Sequence, residues 1–406
     1  MAKDDKSSNP ATGVVEAGRD PKWTGRVVNP PVWRASTHLY ANEAERKAAL
    51  KTNQDGDFFY GRRGAPTQWA LADALTQIEP DAYGTVLYPS GVSAIAGALL
   101  SVLKPGDVLL ITDNAYDPSR SMATGLLKRL GVESRFFDPL DIAAYQSLFC
   151  DRTKAVWLES PGSLTMEVCD VPTLAAIARD KGAVSLLDNT WASSLGFPAL
   201  KRGCDISIMS LSKHVGGHSD LMMGSASAGE RYYRALRRTA QQLGNVVSPD
   251  DAALAARGLR TMKLRLDQSS SSALQIAEWL QTQPQVCAVM CPMLPSDPGH
   301  SLWQRDFTGG CGLFSFVLSS DHPDAQARVV DNLHHFGIGY SWGGFESLAL
   351  PIFPDQHRDI MSWPIKELAA QGVTGSSPAI RLSIGLEDPQ DLIADLAQAF
   401  EKLDQT

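Results

Sequence analysis

Ser-Leu-Ser-Lys-His-Val-Gly-Gly-His, residues 210–218, follows a short β-branched run, Cys-Asp-Ile-Ser-Ile-Met at 204–209. Branched residues suit a pleated strand, and the serines and glycines that follow mark its exit into a turn. Lys213 therefore stands at a strand exit among hydroxyls and glycines. Asp188 closes a second apolar run, Val-Ser-Leu-Leu-Asp at 184–188. Working outward, strand-like runs at 85–88, 108–112, 134–137, 155–159, 184–188 and 206–209 alternate with helical periodicity at 92–103, 120–130 and 171–181. Such alternation implies an α/β chain whose mostly parallel sheet is covered on both faces. Ligands of such sheets bind beyond the carboxyl ends of the strands, where Asp188 and Lys213 fall.

The rest of the chain divides around that region. Residues 1–62 are polar, dotted with proline and weakly periodic, an extended arm with one helix at 42–51. Residues 63–258 carry the alternating pattern, and 259–406 form a smaller α+β domain. Near its start, Ser248-Pro-Asp-Asp251 is a strong helix start: a hydroxyl N-cap, a first-turn proline and acids at the positive dipole end. That helix is predicted to run to about residue 280, with Gly258 as a weak point. Strands at 286–290, 313–318 and 379–384 and helices at 325–335 and 389–403 follow.

Composition excludes several classes. With 406 residues, two packed domains are expected, and 44% hydrophobic against 20% charged residues is globular composition. A net charge of −8 without a basic block argues against nucleic acid as partner. The uncharged stretch 83–103 has the length of a membrane span, but Gly84, Pro89, Ser90 and Gly91 break it into strand, turn and helix. The opening residues lack the apolar core of a signal peptide. Cys150, Cys169, Cys204, Cys287, Cys291 and Cys311 show no C-x-x-C spacing and read as reduced thiols. A cytoplasmic protein is expected.

A lysine and a carboxylate at neighbouring strand exits suit pyridoxal phosphate: the amine forms a Schiff base with the aldehyde, and the carboxylate pairs with the protonated ring nitrogen. The other reading of Lys213 is a solvated side chain in a polar loop. Phosphate needs backbone donors at a helix N-terminus, and Pro89-Ser-Gly-Val-Ser93 offers them between a strand and a helix. Such turns are common in α/β chains, so this feature is weak alone. Tyr116, just past a strand, suits stacking on a flat ring or filling a core. Phe59-Tyr-Gly-Arg-Arg-Gly64 is a solvated loop or a phosphate clamp serving a neighbouring subunit. Arg381 lies within an apolar strand and needs a carboxylate, from an internal aspartate or from a substrate.

Other motifs fail. His214 and His218 are four apart, but Gly216 and Gly217 between them disfavour a helical metal site. Gly337-Ile-Gly339 has Trp342 where a dinucleotide fingerprint needs glycine. Neither a G-x-x-x-x-G-K-[ST] loop nor a G-x-S-x-G elbow occurs.

Several segments together carry a resemblance: Phe-Tyr-Gly-Arg-Arg-Gly (59–64), Glu-Ser-Pro-Gly-Ser (159–163), Asp-Asn-Thr-Trp-Ala (188–192), Ser-Lys with Gly-His-Ser-Asp (212–213 and 217–220), Arg-Asp-Phe-Thr-Gly (305–309), Tyr-Ser-Trp-Gly-Gly (340–344) and Ile-Gly-Leu-Glu-Asp (384–388). The chain resembles the Cys/Met-metabolism family of pyridoxal-phosphate enzymes, most closely its bacterial cystathionine β-lyase branch. Members that act at Cγ usually have asparagine near Ser163 and a smaller residue near Trp342. Gln241 departs from the pattern, standing where that branch has an aromatic active-site residue.

The resemblance implies a fold-type I transferase fold (aspartate-aminotransferase-like), with a large sheet domain and a smaller C-terminal domain. It implies pyridoxal 5′-phosphate bound to Lys213, Asp188 at the ring nitrogen and Tyr116 stacked on the ring, assisting proton transfer. Gly91, Val92, Ser210 and Ser212 are expected to hold the phosphate, with Tyr60 and Arg62 reaching across from a partner chain. Arg381 is expected to fix the substrate carboxylate, with Ser341 and Trp342 shaping the pocket. The implied reaction is carbon–sulfur β-elimination on cystathionine, giving homocysteine, pyruvate and ammonia, in a homotetramer of methionine biosynthesis. The alternatives are γ-synthase or γ-lyase chemistry on the same scaffold, or a regulatory protein that keeps the cofactor without turnover.

Overall fold

The computed structural model describes residues 9–320 and 322–403; the first eight residues of the arm lie outside them. The large sheet contains β1 (Gly84–Tyr88), β2 (Val108–Thr112), β3 (Glu133–Phe137), β4 (Thr153–Glu159), β5 (Val184–Asp188), β6 (Ile206–Ser210) and β7 (Gly224–Ala228). Their order is β1-β7-β6-β5-β4-β2-β3. Strands β3, β2, β4, β5 and β6 are parallel, whereas β7 pairs antiparallel with both β6 and β1. The chain leaves β2 for the edge strand β3 and returns on the other side of β2 as β4, so the topological switch lies between β2 and β4.

Alternation along the strands explains why both faces are covered. Leu109, Ile111, Ala155, Trp157 and Leu186 point to one core, where Ile95 and Leu99 of the helix Gly91–Val102 meet them. Val108, Leu110, Val156, Leu158 and Leu187 point to the other, against Leu71 and Leu75 of Pro66–Ile78 and Leu174 of Val171–Asp180. A period of two that is apolar in both phases is the mark of a doubly covered sheet. The uncharged 83–103 stretch is β1, a turn and a helix, as its glycines and proline predict. Among the described residues no helix is long and apolar enough to cross a membrane.

The second sheet has β8 (Val286–Met290), β9 (Leu313–Leu318), β10 (Gly337–Ile338), β11 (Leu348–Ile352) and β12 (Ala379–Ser383), in the order β10-β11-β12-β9-β8. One face, with Phe314, Phe316, Ile380 and Leu382, is covered by Ile276, Leu396 and Phe400 of the helices Met262–Leu280 and Pro389–Leu403. Leu313, Val317 and Ala379 face the other way and join the core of the large sheet. Since Ile380 and Leu382 face the helices, Arg381 between them faces the large sheet.

Several predicted boundaries are corrected. The single helix expected from 249 to about 280 is two, Pro249–Leu259 and Met262–Leu280, with Thr261 leaving helical geometry at φ −107° and ψ 4°. The helix expected at 120–130 is Asp117–Met122 followed by a π turn at Ala123–Leu127. The helix expected at 325–335 is Ala325–Val330, and beyond it the N–H groups of His334 and His335 donate to the buried Asp395 carboxylate. Strand β7, Gly-Ser-Ala-Ser-Ala, has no branched or aromatic residue to signal it, and β10 and β11 were also not anticipated. The arm is less extended than expected. Besides Glu43–Ala49 it contains Pro10–Glu16 and Pro21–Thr24, capped by Asn9 and Asp20, with Val14 and Trp23 buried. All six cysteines are free thiols.

Gly97 sets the distance between the helix Gly91–Val102 and β1, because a Cβ there would lie 2.3 Å from Cε1 of the buried Tyr88. Gly97→Ala should therefore destabilise the protein by about 1–3 kcal/mol through overpacking. A thermal melt matching wild type would contradict that packing.

Candidate active site

Register brings the polar groups together. Tyr88 and Ser210 both pair with Gly224, so the exits of β1 and β6 meet over a residue with no side chain. A Cβ on Gly224 would lie 2.4 Å from the Ser90 carbonyl oxygen, and one on Gly91 would lie 2.9 Å from Ser210 Oγ. The helix Gly91–Val102 starts in this cup. The Ser90 hydroxyl accepts the Ser93 N–H at 3.1 Å, and the Ser90 carbonyl accepts that of Ala94. The N–H groups of Gly91 and Val92 have no acceptor among the described residues, as first-turn donors do not. Positive helix-end potential, two free donors and nearby serine hydroxyls suit a phosphate dianion.

Next along the sheet edge, Glu159 at the end of β4 is the register partner of Asp188 at the end of β5. Asp188 Oδ1 accepts both the N–H (3.1 Å) and the hydroxyl (2.5 Å) of Thr190, while Oδ2 has no donor among the described residues. That free oxygen, on a residue that lines the cavity described below, fits the protonated nitrogen of a pyridine ring. Burial raises the Asp188 pKa, against the Thr190 hydrogen bonds and the Lys213 charge. Burial, and then Asp188, push Glu159 well above the ordinary carboxylate range. Glu159 Oε2 accepts the backbone N–H of Tyr116 at 2.7 Å, bridging the topological switch between β4 and the loop after β2.

Lys213 and Tyr116 flank these carboxylates from opposite sides, since β5 and β4 separate β6 from β2. Lys213 Nζ donates to Ser341 Oγ at 2.5 Å and lies 5.3 Å from the centroid of the Trp342 ring. Burial, and then the Arg381 charge, lower the Lys213 pKa to about 8. The Tyr116 phenol is raised, first by burial and then by Asp188 and Glu159. Ser341 links two cations. Its hydroxyl meets Lys213 and its carbonyl accepts Arg381 Nη2 at 3.1 Å, from a left-handed backbone at φ +80°. Among the described residues Arg381 has no carboxylate partner, so the internal aspartate considered from the sequence is not there. Its guanidinium is free to take a carboxylate from solution.

These groups line one cavity of about 310 Å³, a size suited to a small ligand. It collects Gly91, Val92, Tyr116, Asp188, Ser210, Ser212, Lys213, Ser341, Trp342 and Arg381. Tyr60 and Arg62 are not among its lining residues. In this chain Tyr60 is 45% exposed, and Arg62 Nη1 donates to the Gln241 carbonyl at 2.9 Å. The Gln241 side chain pairs reciprocally with the amide of Asn53, at 2.9 and 3.0 Å. Glu159, Thr190 and Tyr340 also line the cavity, and no sequence motif assigns them a role. Glu159 and Thr190 had a signal: one ends the strand beside Asp188, and the other carries a hydroxyl two residues past it.

Comparison with known proteins agrees with this geometry. Residues 11–401 match the family model of Cys/Met metabolism PLP-dependent enzymes, and the chain belongs to that family. Its cofactor is accordingly pyridoxal phosphate, which the cup, the free Asp188 oxygen and the Lys213 amine fit. The chain is 42% identical to the Cystathionine beta-lyase MetC of Escherichia coli (strain K12) over 396 residues, covering 97% of this chain and 98% of that one. It is 33% identical to the Cystathionine gamma-lyase of Homo sapiens, covering 96% and 93%. A crystal structure of metB from Corynebacterium glutamicum superposes with a TM-score of 0.86 at 27% identity, covering 99% of this chain and all of that one.

The lowered Lys213 pKa sets a rate. With a value near 8, about a tenth of the amine is neutral at pH 7, against about 0.1% or less for an ordinary lysine. Capture of pyridoxal phosphate by the cofactor-free protein should speed up with rising pH, with its midpoint near pH 8. A rate still climbing steeply above pH 10 would show an unperturbed lysine.

Proposed function

We propose that this chain is a carbon–sulfur β-lyase that cleaves L-cystathionine, and related S-substituted cysteines, to a thiol such as homocysteine, pyruvate and ammonia. The observation that carries the reading is one cavity holding a buried amine, a carboxylate with a free oxygen and an arginine without a carboxylate partner. Similarity to a cystathionine β-lyase along almost the whole chain supports the choice of substrate.

Pyridoxal phosphate, when bound, supplies the electron sink that makes the Cα proton of an amino acid acidic enough to remove. The protein's part is binding and proton transfer. Asp188, with Oδ2 free, would pair with the ring nitrogen's positive charge, which would offset the burial that raises the Asp188 pKa. Gly91, Val92, Ser210 and Ser212 would hold the phosphate, and Tyr116, fixed by Glu159, would stack on the ring. Arg381 takes the substrate carboxylate and turns the Cα–H toward Lys213. Lys213 Nζ, once released, takes that proton as general base. Ser341 keeps the amine and the guanidinium in fixed relation, and Trp342 walls the pocket. The Cβ–S bond breaks with its electron pair on sulfur, the thiolate takes a proton to become the thiol, and water hydrolyses the remaining three-carbon fragment to pyruvate and ammonia.

Tyr60 and Arg62 complete the phosphate site from a neighbouring subunit, in a homotetramer. The arm supports this, since Val27, Val28, Val32, Trp33 and Leu39 are exposed on it, an apolar surface suited to a partner. The enzyme acts in the cytoplasm, in methionine biosynthesis.

Keto-acid identity is the decisive assay. Purified enzyme given cystathionine should release pyruvate; 2-oxobutyrate would mean γ-cleavage, and no keto acid from any thioether or cystine would leave a cofactor-binding protein without turnover. Lys213→Ala should abolish pyruvate release and the absorbance of the covalently bound cofactor. Asp188→Asn should keep some cofactor yet lose most turnover. Arg381→Ala should lower kcat/KM by at least about 30-fold, as when one partner of a buried charge pair worth about 2–5 kcal/mol is removed. Unchanged kinetics in that variant would refute the carboxylate assignment.

A further inference from the structure

We propose that Arg265 is a positioning residue for Lys213: from the helix Met262–Leu280, its guanidinium closes the far end of the turn that carries the lysine. The inference rests on the reading of Lys213 as the cofactor lysine. Arg265 Nη1 donates to the His214 carbonyl at 2.8 Å, and Nη2 donates to Gly258 at 2.7 Å and to Val215 at 3.4 Å. Nε donates to the Thr261 hydroxyl at 3.1 Å. The guanidinium thus ties two carbonyls of the turn to the end of the preceding helix.

Most other carbonyls of the turn have donors of their own. Leu211 accepts the Gly216 N–H at 2.8 Å, Lys213 accepts that of Gly217 at 2.7 Å, and Gly216 is bonded to His218 Nδ1 at 2.8 Å. No backbone N–H reaches the carbonyls of His214 or Val215 among the described residues, and both residues are buried. Without Arg265 both would be buried acceptors with no donor. Two glycines are shaped to the same contact. A Cβ on Gly217, at φ +67°, would lie 1.8 Å from Arg265 Nη1, and one on Gly258 would lie 2.2 Å from the Val215 oxygen. Arg265 has no carboxylate within ion-pair distance among the described residues; burial lowers its pKa only to about 10, leaving it charged at neutral pH. Its compensation is the dipoles of these carbonyls.

Arg260 provides an internal control. It donates to the carbonyls of Val14, Val15 and Ala17 at the end of the helix Pro10–Glu16, a similar cap without contact to the Lys213 turn. The test compares Arg265→Met, Arg265→Lys, Arg260→Met and Lys213→Ala, all expressed as full chains with pyridoxal phosphate. The readouts are thermal melt, kcat and KM for cystathionine, and the pH titration of the bound cofactor's absorbance. Arg265→Met should lower kcat by about 100-fold, the loss that follows a misplacement of about 1 Å, with KM little changed and the absorbance titration shifted. Arg265→Lys, able to reach one carbonyl, should lose about 10-fold by the same effect. Arg260→Met should lower the melting temperature and leave kcat and the titration as in wild type.

Wild-type kcat and titration in Arg265→Met overturn the proposal, as does an equal kinetic loss in Arg260→Met. If Arg265→Met yields no folded protein, Arg265→Lys decides, and wild-type values there overturn it. Lys213→Ala separates the two levels. If it keeps covalently bound cofactor, the lysine assignment itself fails; if it loses the cofactor while the Arg265 variants behave as wild type, only the positioning role fails.

Discussion

A largely buried primary amine, under the influence of one guanidinium and one carboxylate, is the constraint around which the molecule is built. Left in water, Lys213 would be protonated almost completely and inert as a nucleophile. Burial and Arg381 bring its pKa to about 8, against the pull of Asp188. The fold supplies this setting by ending four strands at one edge: β6 leads into the lysine turn, β5 ends on Asp188, β4 ends on Glu159, and β2 leads to Tyr116. Carboxylates at adjacent register positions cannot both ionise cheaply, which separates their roles. The Glu159 carboxyl is spent on the Tyr116 N–H, whereas Asp188 keeps one oxygen free for a cation.

The second sheet completes the cavity. Strand alternation aims Arg381 at the large sheet, and the positive-φ turn at Ser341 brings hydroxyl and carbonyl of one residue to both cations. Ser315 Oγ on β9 also donates to the Leu164 carbonyl at 2.7 Å, fastening the small sheet to a loop that lines the cavity. A second anchorage lies at Asp113. Its carboxylate accepts the N–H groups of residues 359–361 and pairs with the buried Arg120 at 2.7 Å. This network holds the start of the Tyr116 loop against a segment of the C-terminal half. The site thus borders the core that the two sheets share, with Met166, Trp191 and Leu313 of that core among its lining residues.

Much of this was readable from the sequence, for a physical reason. Strands such as Val108–Thr112 and Val184–Asp188 are apolar in both phases and bounded by turn chemistry, so their limits coincide with those predicted. The polar groups that matter stand at strand exits, where burial makes an unexplained lysine or aspartate conspicuous. What escaped was decided by tertiary contacts. Strand β7, of glycine, serine and alanine, is recruited by pairing between β1 and β6, with its Gly224 pressed against the Ser90 carbonyl. The weak point read at Gly258 is a complete break by Thr261, while the close packing of Gly258 on the lysine turn is a contact that helical periodicity cannot reveal. Glu159 needed the register of β4 against β5 before it had any function.

Reduction of the holoenzyme with borohydride, followed by digestion and peptide mass mapping, tests the central claim most directly. The reduced cofactor's mass should appear on the peptide containing Lys213, at near-stoichiometric yield. Its attachment to another lysine, or no attachment in a protein that turns over substrate, would contradict the whole arrangement.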